Sequence, residues 1–184
     1  MEIFDNDGVE THNLPNQYYR IKDTGQFKVE ALESILSEFS LTKVKAHNVQ
    51  YVNQLLQKTV IVVTDSMSSR RIVWDQFKKQ PQCKNYIEAR MGAEVGRVYT
   101  IRKPKDRKKV TKEDITFYEE TLYSDDKAEQ LPCTARAIIY NVAMISARIG
   151  RAYKAILNNE PHCREIIDSV TFMDEVSPNF LKRK

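Results

Sequence analysis

Apolar positions along the chain recur with two different periods, and each period predicts a different element. In residues 27–39, 67–79 and 134–157, apolar side chains return every three or four positions, which is the spacing of an amphipathic helix. Ser66 or Ser68 is placed to cap the second of these segments. We therefore predict three helices, of which the helix over 134–157 is the longest.

The strand period accounts for the other apolar segments. Residues 59–64 (TVIVVT) are mostly β-branched and unbroken, as expected of a parallel strand that is covered on both faces. Other segments are shorter or alternate between apolar and polar side chains. We predict strands at residues 1–4, 42–48, 59–64, 86–90, 93–101, 115–123 and 165–173.

The order of these elements predicts an α/β fold with a Rossmann-like mixed sheet. Helical segments separate the main strands of residues 1–80, as the crossover connections of parallel strands require. Connections in residues 81–184 are short or lack a helix, so we expect antiparallel strands there. With no internal repeat and no linker-like stretch, residues 1–184 are interpreted as one domain, with helices on both faces of a single sheet.

Composition restricts the class of protein. The chain has 184 residues, of which 41% are hydrophobic and 29% charged, an ordinary balance for a globular domain with a buried core. A net charge of +4 is too small to indicate nucleic-acid binding by itself. No run of about 18 or more apolar residues predicts a membrane span, and no secretory signal is visible. We expect neither a membrane nor a nucleic-acid partner.

The cysteines and histidines exclude several kinds of site. Cys83, Cys133 and Cys163 are isolated and odd in number, which favours a reducing cytoplasm over a disulfide framework. There is no C-x-x-C pair, so a zinc site on paired cysteines is not expected. The three histidines lack the spacing of a metal site or a catalytic triad.

A basic stretch at residues 102–112 (RKPKDRKKVTK) has three interpretations. A run of charge is by default a solvated surface. It is also suited to an acidic partner. Contact with nucleic acid is the third interpretation, although no aromatic residue is interleaved to stack on bases.

Three acidic residues and one lysine are candidates for nucleotide chemistry. Asp5 and Asp7 follow the first strand, and Asp65 follows the strand at 59–64. The carboxyl ends of parallel strands are where open α/β sheets bind ligands, and an acid there accepts hydrogen bonds from ribose or holds a metal. Lys28, in the first turn of a helix, is mildly disfavoured by the helix dipole unless an anion lies beside it. The alternatives are turn acids, a helix N-terminal acid and a solvated lysine.

Cys133 is the candidate nucleophile. It lies in Pro132-Cys133-Thr134, where the longest helix is predicted to begin, and a helix N-terminus lowers the pKa of a thiol. The alternative is a small buried hydrophobic residue, which is the usual role of an unpaired cysteine. Cys83 and Cys163 are interpreted as structural.

The first 32 residues carry a resemblance to a known family. The segments DNDGVETHNLPNQ (residues 5–17) and GQFKVEAL (residues 25–32) are similar to the ThiF/MoeB/HesA family, the adenylating core shared with ubiquitin-activating enzymes. Asn16 stands where that family usually has an arginine. The positions in register are Asp5, Asp7, Val9, Glu10, Asn13, Leu14, Gln17, Gly25, Lys28 and Ala31.

The resemblance implies a reaction and a set of site residues. It implies that magnesium ATP adenylates the C-terminal carboxylate of a ubiquitin-like or sulfur-carrier protein. Lys28 would contact the ATP phosphates with Asn16 and Gln17 close by, and Asp65 would hold magnesium. Cys133 resembles the thioester-forming cysteine of ubiquitin-activating enzymes. Relatives commonly form homodimers through this domain.

Several further features of the family bear on this expectation. Arg20 is the candidate to compensate for the missing arginine at position 16. Arg70 and Arg71 are expected either at phosphates or a partner, or as surface charges. Residues 90–95 and 132–136 look like a branch of the family that also occurs in phage and mobile-element proteins.

One departure leaves the activity open. Family members have a strand and a Gly-rich turn before the opening motif, and this chain begins at Met1 with neither. The chain is then a fragment, or a partner chain supplies the strand, or the domain is a non-catalytic half that binds proteins. The last alternative predicts no ATP binding by the chain alone and a partner at the first-strand edge. A dinucleotide-binding oxidoreductase is disfavoured because the glycine fingerprint is absent.

Overall fold

The computed structural model of the chain describes residues 1–92, 95–106, 108–127 and 139–169. It divides the chain into two units, unit 1 at residues 1–52 and unit 2 at residues 53–184. Each unit is described by itself. The single domain with halves at residues 1–80 and 81–184 stays a prediction.

Unit 1 is a parallel strand pair with a crossover helix. β1 (Glu2–Phe4) pairs in parallel with β2 (Lys45–His47), and α1 (Lys28–Phe39) lies between them in sequence. Val9, Val29 and Ala31 are buried. The helix predicted at 27–39 and the parallel pairing of the first strands are confirmed.

Unit 2 contains a four-stranded mixed sheet. Its strands are β3 (Thr59–Val62), β4 (Asn85–Met91), β5 (Val95–Arg102) and β6 (Glu165–Ser169), in that spatial order. β3 and β4 are parallel and are connected by α2 (Met67–Lys79), whereas β4, β5 and β6 are antiparallel. The predicted α/β class with parallel and antiparallel parts is therefore confirmed.

The hydrogen-bonded strands form two sheets, whereas the sequence predicts one. Among the described residues, β3 pairs along one edge only, with β4, and β1 pairs only with β2. Apolar periodicity identifies which segments are strands, but it does not specify the partner at each edge. The apolar pattern alone therefore does not determine the number of sheets.

The core of unit 2 lies between the sheet and α4 (Ile139–Leu157). Residues 134–138 of the predicted helix lie outside the described residues. Within the described ranges no helix, α4 included, combines the length and hydropathy needed to cross a membrane. The packed apolar side chains are Ile87, Ala89, Val98, Ile145, Ala152 and Ile156.

The strand predicted at 115–123 is wrong, because α3 (Lys112–Glu119) occupies most of this segment. The Thr111 hydroxyl accepts a hydrogen bond from the Asp114 amide at 3.1 Å and caps the helix. Glu113 and Asp114 in the first turn also suit the positive end of the helix dipole. The apolar positions of the segment fit both the strand period and the helix period, and the hydrogen bond at the N-cap favours the helix.

Part of the basic stretch at 102–112 is buried and not solvated. Lys103 is 4% exposed, and its ammonium donates to the carbonyls of Phe77 and Gln80 at the end of α2. Burial lowers the pKa of Lys103. Lys105, Lys108 and Lys109 are exposed, as the solvated interpretation expects.

The close approach of β5 to α4 gives a stability test. A Cβ at Gly96 would lie 2.5 Å from Ile145 Cδ1, so Gly96→Ala forces Ile145 to move. We expect a loss of about 1–3 kcal/mol in the free energy of unfolding, measured by urea denaturation. Gly150→Ala is the control, because nothing lies within 4 Å of its Cβ position in α4.

For the control, Gly150→Ala, we expect the free energy of unfolding to change in the opposite direction. An alanine in the middle of α4 reduces the freedom of the unfolded chain, and we expect a gain of about 0.5–1 kcal/mol. Equal stability of the two variants would contradict the described packing of β5 on α4.

Candidate functional site

In unit 1, three of the predicted residues lie together. Asp5 and Asp7 follow β1, and the Asp5 carboxylate accepts a hydrogen bond from the Asp7 amide at 2.8 Å. The Lys28 amide donates to the Asp7 carbonyl at 2.8 Å, and its ammonium lies 3.0 Å from the Asp7 carboxylate. A loop carboxylate and a lysine 21 residues later are thus joined at the start of α1.

The ion pair between Asp7 and Lys28 is open to solvent on one side. The Asp7 side chain is 61% exposed and the Lys28 side chain 15% exposed. An ion pair of this kind contributes about 0–1 kcal/mol. An ammonium has three donors, so the Lys28 ammonium can contact a phosphate without large rearrangement. Phe27 at the N-cap of α1 provides no capping oxygen.

Tyr19 is a member of this cluster that sequence reasoning did not single out. Burial, followed by the charges of Asp5, Asp23 and Asp7, raises the pKa of Tyr19 to about 12. The phenol therefore keeps its proton at neutral pH and remains a hydrogen-bond donor. The sequence signal was weak, because an aromatic residue in a polar crossing is compatible with many roles.

Asn13 organises the turn that carries Asn16 and Gln17. The buried Asn13 side chain accepts a hydrogen bond from the Glu10 amide at 2.9 Å. The Asn13 carbonyl accepts from the amides of Asn16 and Gln17 at 2.9 and 2.8 Å. Asn16 and Gln17 are half-buried. The turn thus presents two carboxamide side chains from adjacent positions.

Arg20 is held by other residues of unit 1. Its guanidinium donates to the Asp23 carboxylate at 2.9 Å, to Ser34 at 3.0 Å and to Glu38. The hydrogen bond from Arg20 also lowers the pKa of Asp23, which is 1% exposed. These contacts attach the crossing to α1, so the geometry does not support the compensating role predicted for Arg20.

In unit 2, Asp65 lies between the end of β3 and the start of α2. It is exposed, and among the described residues its carboxylate has no hydrogen-bond or ion-pair partner. The neighbouring Thr64 hydroxyl oxygen is buried and also lacks a partner in the described ranges. Ser66, rather than Ser68, caps α2 by accepting from the Ser69 amide at 3.2 Å.

Asp125 lies at the N-terminus of α2, which the sequence did not predict. Its carboxylate accepts hydrogen bonds from the amides of Met67 at 2.5 Å and Ser68 at 3.1 Å. Hydrogen bonds from Ser68 and Met67 lower the pKa of Asp125. The separation of 58 residues between Asp125 and Met67 explains why no local pattern indicated the contact.

Arg70 is neither a surface charge nor a free phosphate ligand. It is 6% exposed and forms an ion pair with Glu88 at 2.8 Å. Its terminal nitrogens donate to the carbonyls of Asp65, at 3.0 Å, and Thr64. Arg71 is exposed, and its guanidinium lies 3.4 Å from the Tyr123 carbonyl. A charged residue in the middle of strand β4, Glu88, was the signal for this buried pair.

The candidate nucleophile Cys133 lies outside the described residues. Cys83 is buried, and burial raises its pKa to about 11, which agrees with a structural role. In the described part of the chain, no group of three or more His, Cys, Asp or Glu side chains is arranged to hold a metal ion.

Comparison with solved structures finds proteins of the same fold. The chain matches the crystal structure of PaaA with a TM-score of 0.66 at 16% identity, covering 93% of this chain and 61% of PaaA. It matches MccB from E. coli with a TM-score of 0.67 at 16% identity, covering 98% of this chain and 56% of MccB. The match to MccB crystallised with ATP has a TM-score of 0.56 at 15% identity, covering 98% of this chain and 57% of that one.

These matches support the fold that the resemblance implies, and not the specific ThiF/MoeB/HesA assignment. The chain spans about three fifths of the length of PaaA and of MccB. Neither a protein-family model nor a curated protein sequence matches the chain. The chain therefore has a Rossmann-like α/β fold similar to that of PaaA and MccB.

Proposed function

We propose that the chain is the nucleotide-binding part of an ATP-dependent adenylating enzyme. The observation that carries the proposal is the cluster of Asp5, Asp7 and Lys28, in which residues of the opening motif meet at the end of β1 and the start of α1. The fold similarity adds support, because MccB has been crystallised with ATP and with MccA. The acyl substrate is the C-terminal carboxylate of a ubiquitin-like or sulfur-carrier protein.

The residues of unit 1 suit a nucleotide by their chemistry. The Lys28 ammonium would contact phosphate oxygens once it exchanges the exposed Asp7 carboxylate for the nucleotide. Asp5 and Asp7 provide carboxylate acceptors for ribose hydroxyls. Asn16 and Gln17 would donate hydrogen bonds without adding charge.

Asp65 suits a magnesium ion that arrives with the nucleotide. Its carboxylate is unpaired among the described residues, next to the buried and unpartnered Thr64 hydroxyl. Magnesium in such sites is commonly held by one or two carboxylates together with substrate phosphates. When bound, the ion would neutralise charge that develops on the phosphates.

The proposed reaction has two steps. An oxygen of the carrier carboxylate attacks the α-phosphorus of ATP, and pyrophosphate leaves, which gives an acyl adenylate. The thiolate of Cys133 then attacks the acyl carbon, and AMP leaves, which gives a thioester. The second step rests on the helix start predicted around Pro132-Cys133-Thr134.

A second candidate is a protein-interaction half without catalysis. It is favoured by β3, whose described hydrogen bonds engage only one edge; Ile61 in this strand and Val63 directly after it are 46% and 66% exposed. An extended segment of a partner chain, adding a strand to this edge, would cover both side chains. This candidate predicts a folded chain that binds no ATP. The partner chain can be a second copy or a different protein.

Nucleotide binding is tested by calorimetry with magnesium ATP. We expect binding by the wild-type chain and a loss of affinity of about tenfold or more for Asp65→Asn and Lys28→Met, since each removes a charged contact. Asp126→Asn and Lys22→Met are matched controls, because both residues are exposed and lie outside the proposed contacts. Circular dichroism establishes that each variant is folded.

Two results would contradict the proposal, the first as a whole and the second in its assignment of Asp65. One is a folded wild-type chain that binds no ATP at millimolar concentration, which favours the interaction candidate. The other is equal affinity for the Asp65→Asn and Asp126→Asn variants, which would remove Asp65 from the nucleotide site.

The cysteine step has its own test. With a carrier protein and ATP, Cys133→Ser is expected to keep exchange of labelled pyrophosphate into ATP, because adenylation precedes thiol attack. The thiol-sensitive adduct between the two proteins is expected to disappear. Cys163→Ser is the control and should retain both signals. An adduct that survives in Cys133→Ser would contradict the assignment of the nucleophile.

A further inference from the structure

A buried charge network in unit 2 is centred on Glu88 of β4. Glu88 is 0% exposed, and its carboxylate is contacted from three sides. Arg70 forms the ion pair at 2.8 Å, the Arg90 guanidinium donates at 2.8 and 3.0 Å, and the Tyr118 hydroxyl donates at 2.7 Å. Two buried guanidiniums therefore share one carboxylate, and the Tyr118 hydroxyl adds a neutral donor.

The Arg70 arm of the network reaches the loop that carries Asp65. One terminal nitrogen of Arg70 donates to the Asp65 carbonyl at 3.0 Å, and the other donates to the Thr64 carbonyl. Both carbonyls belong to the short connection between β3 and α2. The two backbone carbonyls that flank the Cα of Asp65 are thus attached to the carboxylate of Glu88 through a single guanidinium.

The Arg90 arm reaches a different segment. Its guanidinium donates to the Thr121 carbonyl at 2.7 Å and to the Thr121 hydroxyl at 2.9 Å, just after α3. It also lies over the Tyr99 ring, with 4.6 Å between the guanidinium carbon and the ring centre. Arg90 and Arg70 therefore share one acid but hold two separate loops.

A buried ion network is not the arrangement that stabilises a core most. Apolar side chains of similar volume often stabilise as well or better, because burying charge requires removing its water. What the network adds is geometry, since a planar guanidinium presents its donors in a rigid fork, whereas the donors of a lysine ammonium rotate.

We propose that Arg70, held by Glu88, is a positioning residue for Asp65. The guanidinium keeps the Thr64–Asp65 peptide in one conformation, so that the Asp65 carboxylate is preorganised for a magnesium ion. The inference rests on the proposed function, in which Asp65 holds magnesium. It assigns to Glu88 and Arg70 the part that residues behind a metal ligand play in orienting it.

The test compares two arginine variants that share Glu88. Arg70→Lys keeps a positive charge near Glu88 but removes the rigid fork that holds the two loop carbonyls and Glu88 together, whereas Arg90→Lys makes the same change in the other arm. For Arg70→Lys we expect the magnesium concentration for half-maximal ATP binding to rise about tenfold or more, with ATP affinity in the absence of magnesium unchanged. Arg90→Lys should leave both quantities near the wild-type values.

Hydrogen exchange followed by mass spectrometry gives a second readout that does not need ATP. Peptides that cover residues 64–69 should exchange faster in Arg70→Lys, and peptides that cover residues 120–123 should exchange faster in Arg90→Lys. Glu88→Gln, which keeps the shape of the side chain, should speed exchange in both segments. If Glu88→Gln fails to fold, the comparison of Arg70→Lys with Arg90→Lys still tests the positioning role of Arg70.

The outcomes separate the inference from the proposed function. Equal magnesium dependence of the two lysine variants, or no faster exchange at residues 64–69 in Arg70→Lys, would overturn the positioning role while leaving ATP binding intact. A wild-type chain that binds no ATP would overturn both the proposed function and the magnesium role of Asp65. Faster exchange confined to residues 64–69 would then leave Arg70 as a structural tether only.

Discussion

The organisation of unit 2 depends on the burial of both faces of β4. Successive side chains of a strand point to opposite faces, and Tyr86 to Ala89 are all buried. Ile87 and Ala89 pack with the apolar side chains of α4. Tyr86 and Glu88 lie on the other face, with Tyr118 of α3 and residues of α2. A strand covered in this way can carry a charged side chain only if the covering elements bring its partners.

Glu88 therefore constrains more than its own position. α2 must bring Arg70 to it, β4 itself brings Arg90, and α3 brings the Tyr118 hydroxyl. Removing Glu88 would leave two buried guanidiniums without their shared acid, which is costly. The ends of α2 and α3 are fixed as a consequence, because the same two guanidiniums also bind the carbonyls of Asp65 and Thr121. Packing and the placement of the candidate site are thus determined by one set of contacts.

The sequence predicted those features that local spacing determines. The apolar period gave α1 and α2 almost to the residue, and the β-branched run gave β3. The resemblance assigned Asp7 and Lys28 separately to nucleotide binding, and the ion pair between them was not predicted. Prediction from the sequence failed where a single polar contact decides between a helix and a strand that fit the apolar pattern equally well. The Thr111 cap made a helix of a predicted strand in this way.

Long-range polar contacts were the second kind of feature that the sequence did not predict. Lys103 was assigned to a basic surface stretch, and its burial depends on two carbonyls at the end of α2. Arg70 was assigned to a surface or a phosphate, and its role depends on an acid in β4. Asp125 depends on amides 57 and 58 residues away. In each case the residue type was visible, but the partner that gives it a role lies on another element.

The hydrogen-bond donors near the candidate residues are already bound by acids of the chain itself. In unit 1 the Lys28 ammonium is paired with Asp7, and in unit 2 the first amides of α2 are bound by Asp125. Both acids lie at the surface, where water screens a single ion pair or helix-end contact and leaves it weak. A phosphate carries more charge than the carboxylate it would replace, so exchange is favourable if the nucleotide has further contacts. The acids of the chain keep these donors hydrogen-bonded in the absence of ligand. An anion replaces one of these acids only if its own contacts are more favourable than those of the acid.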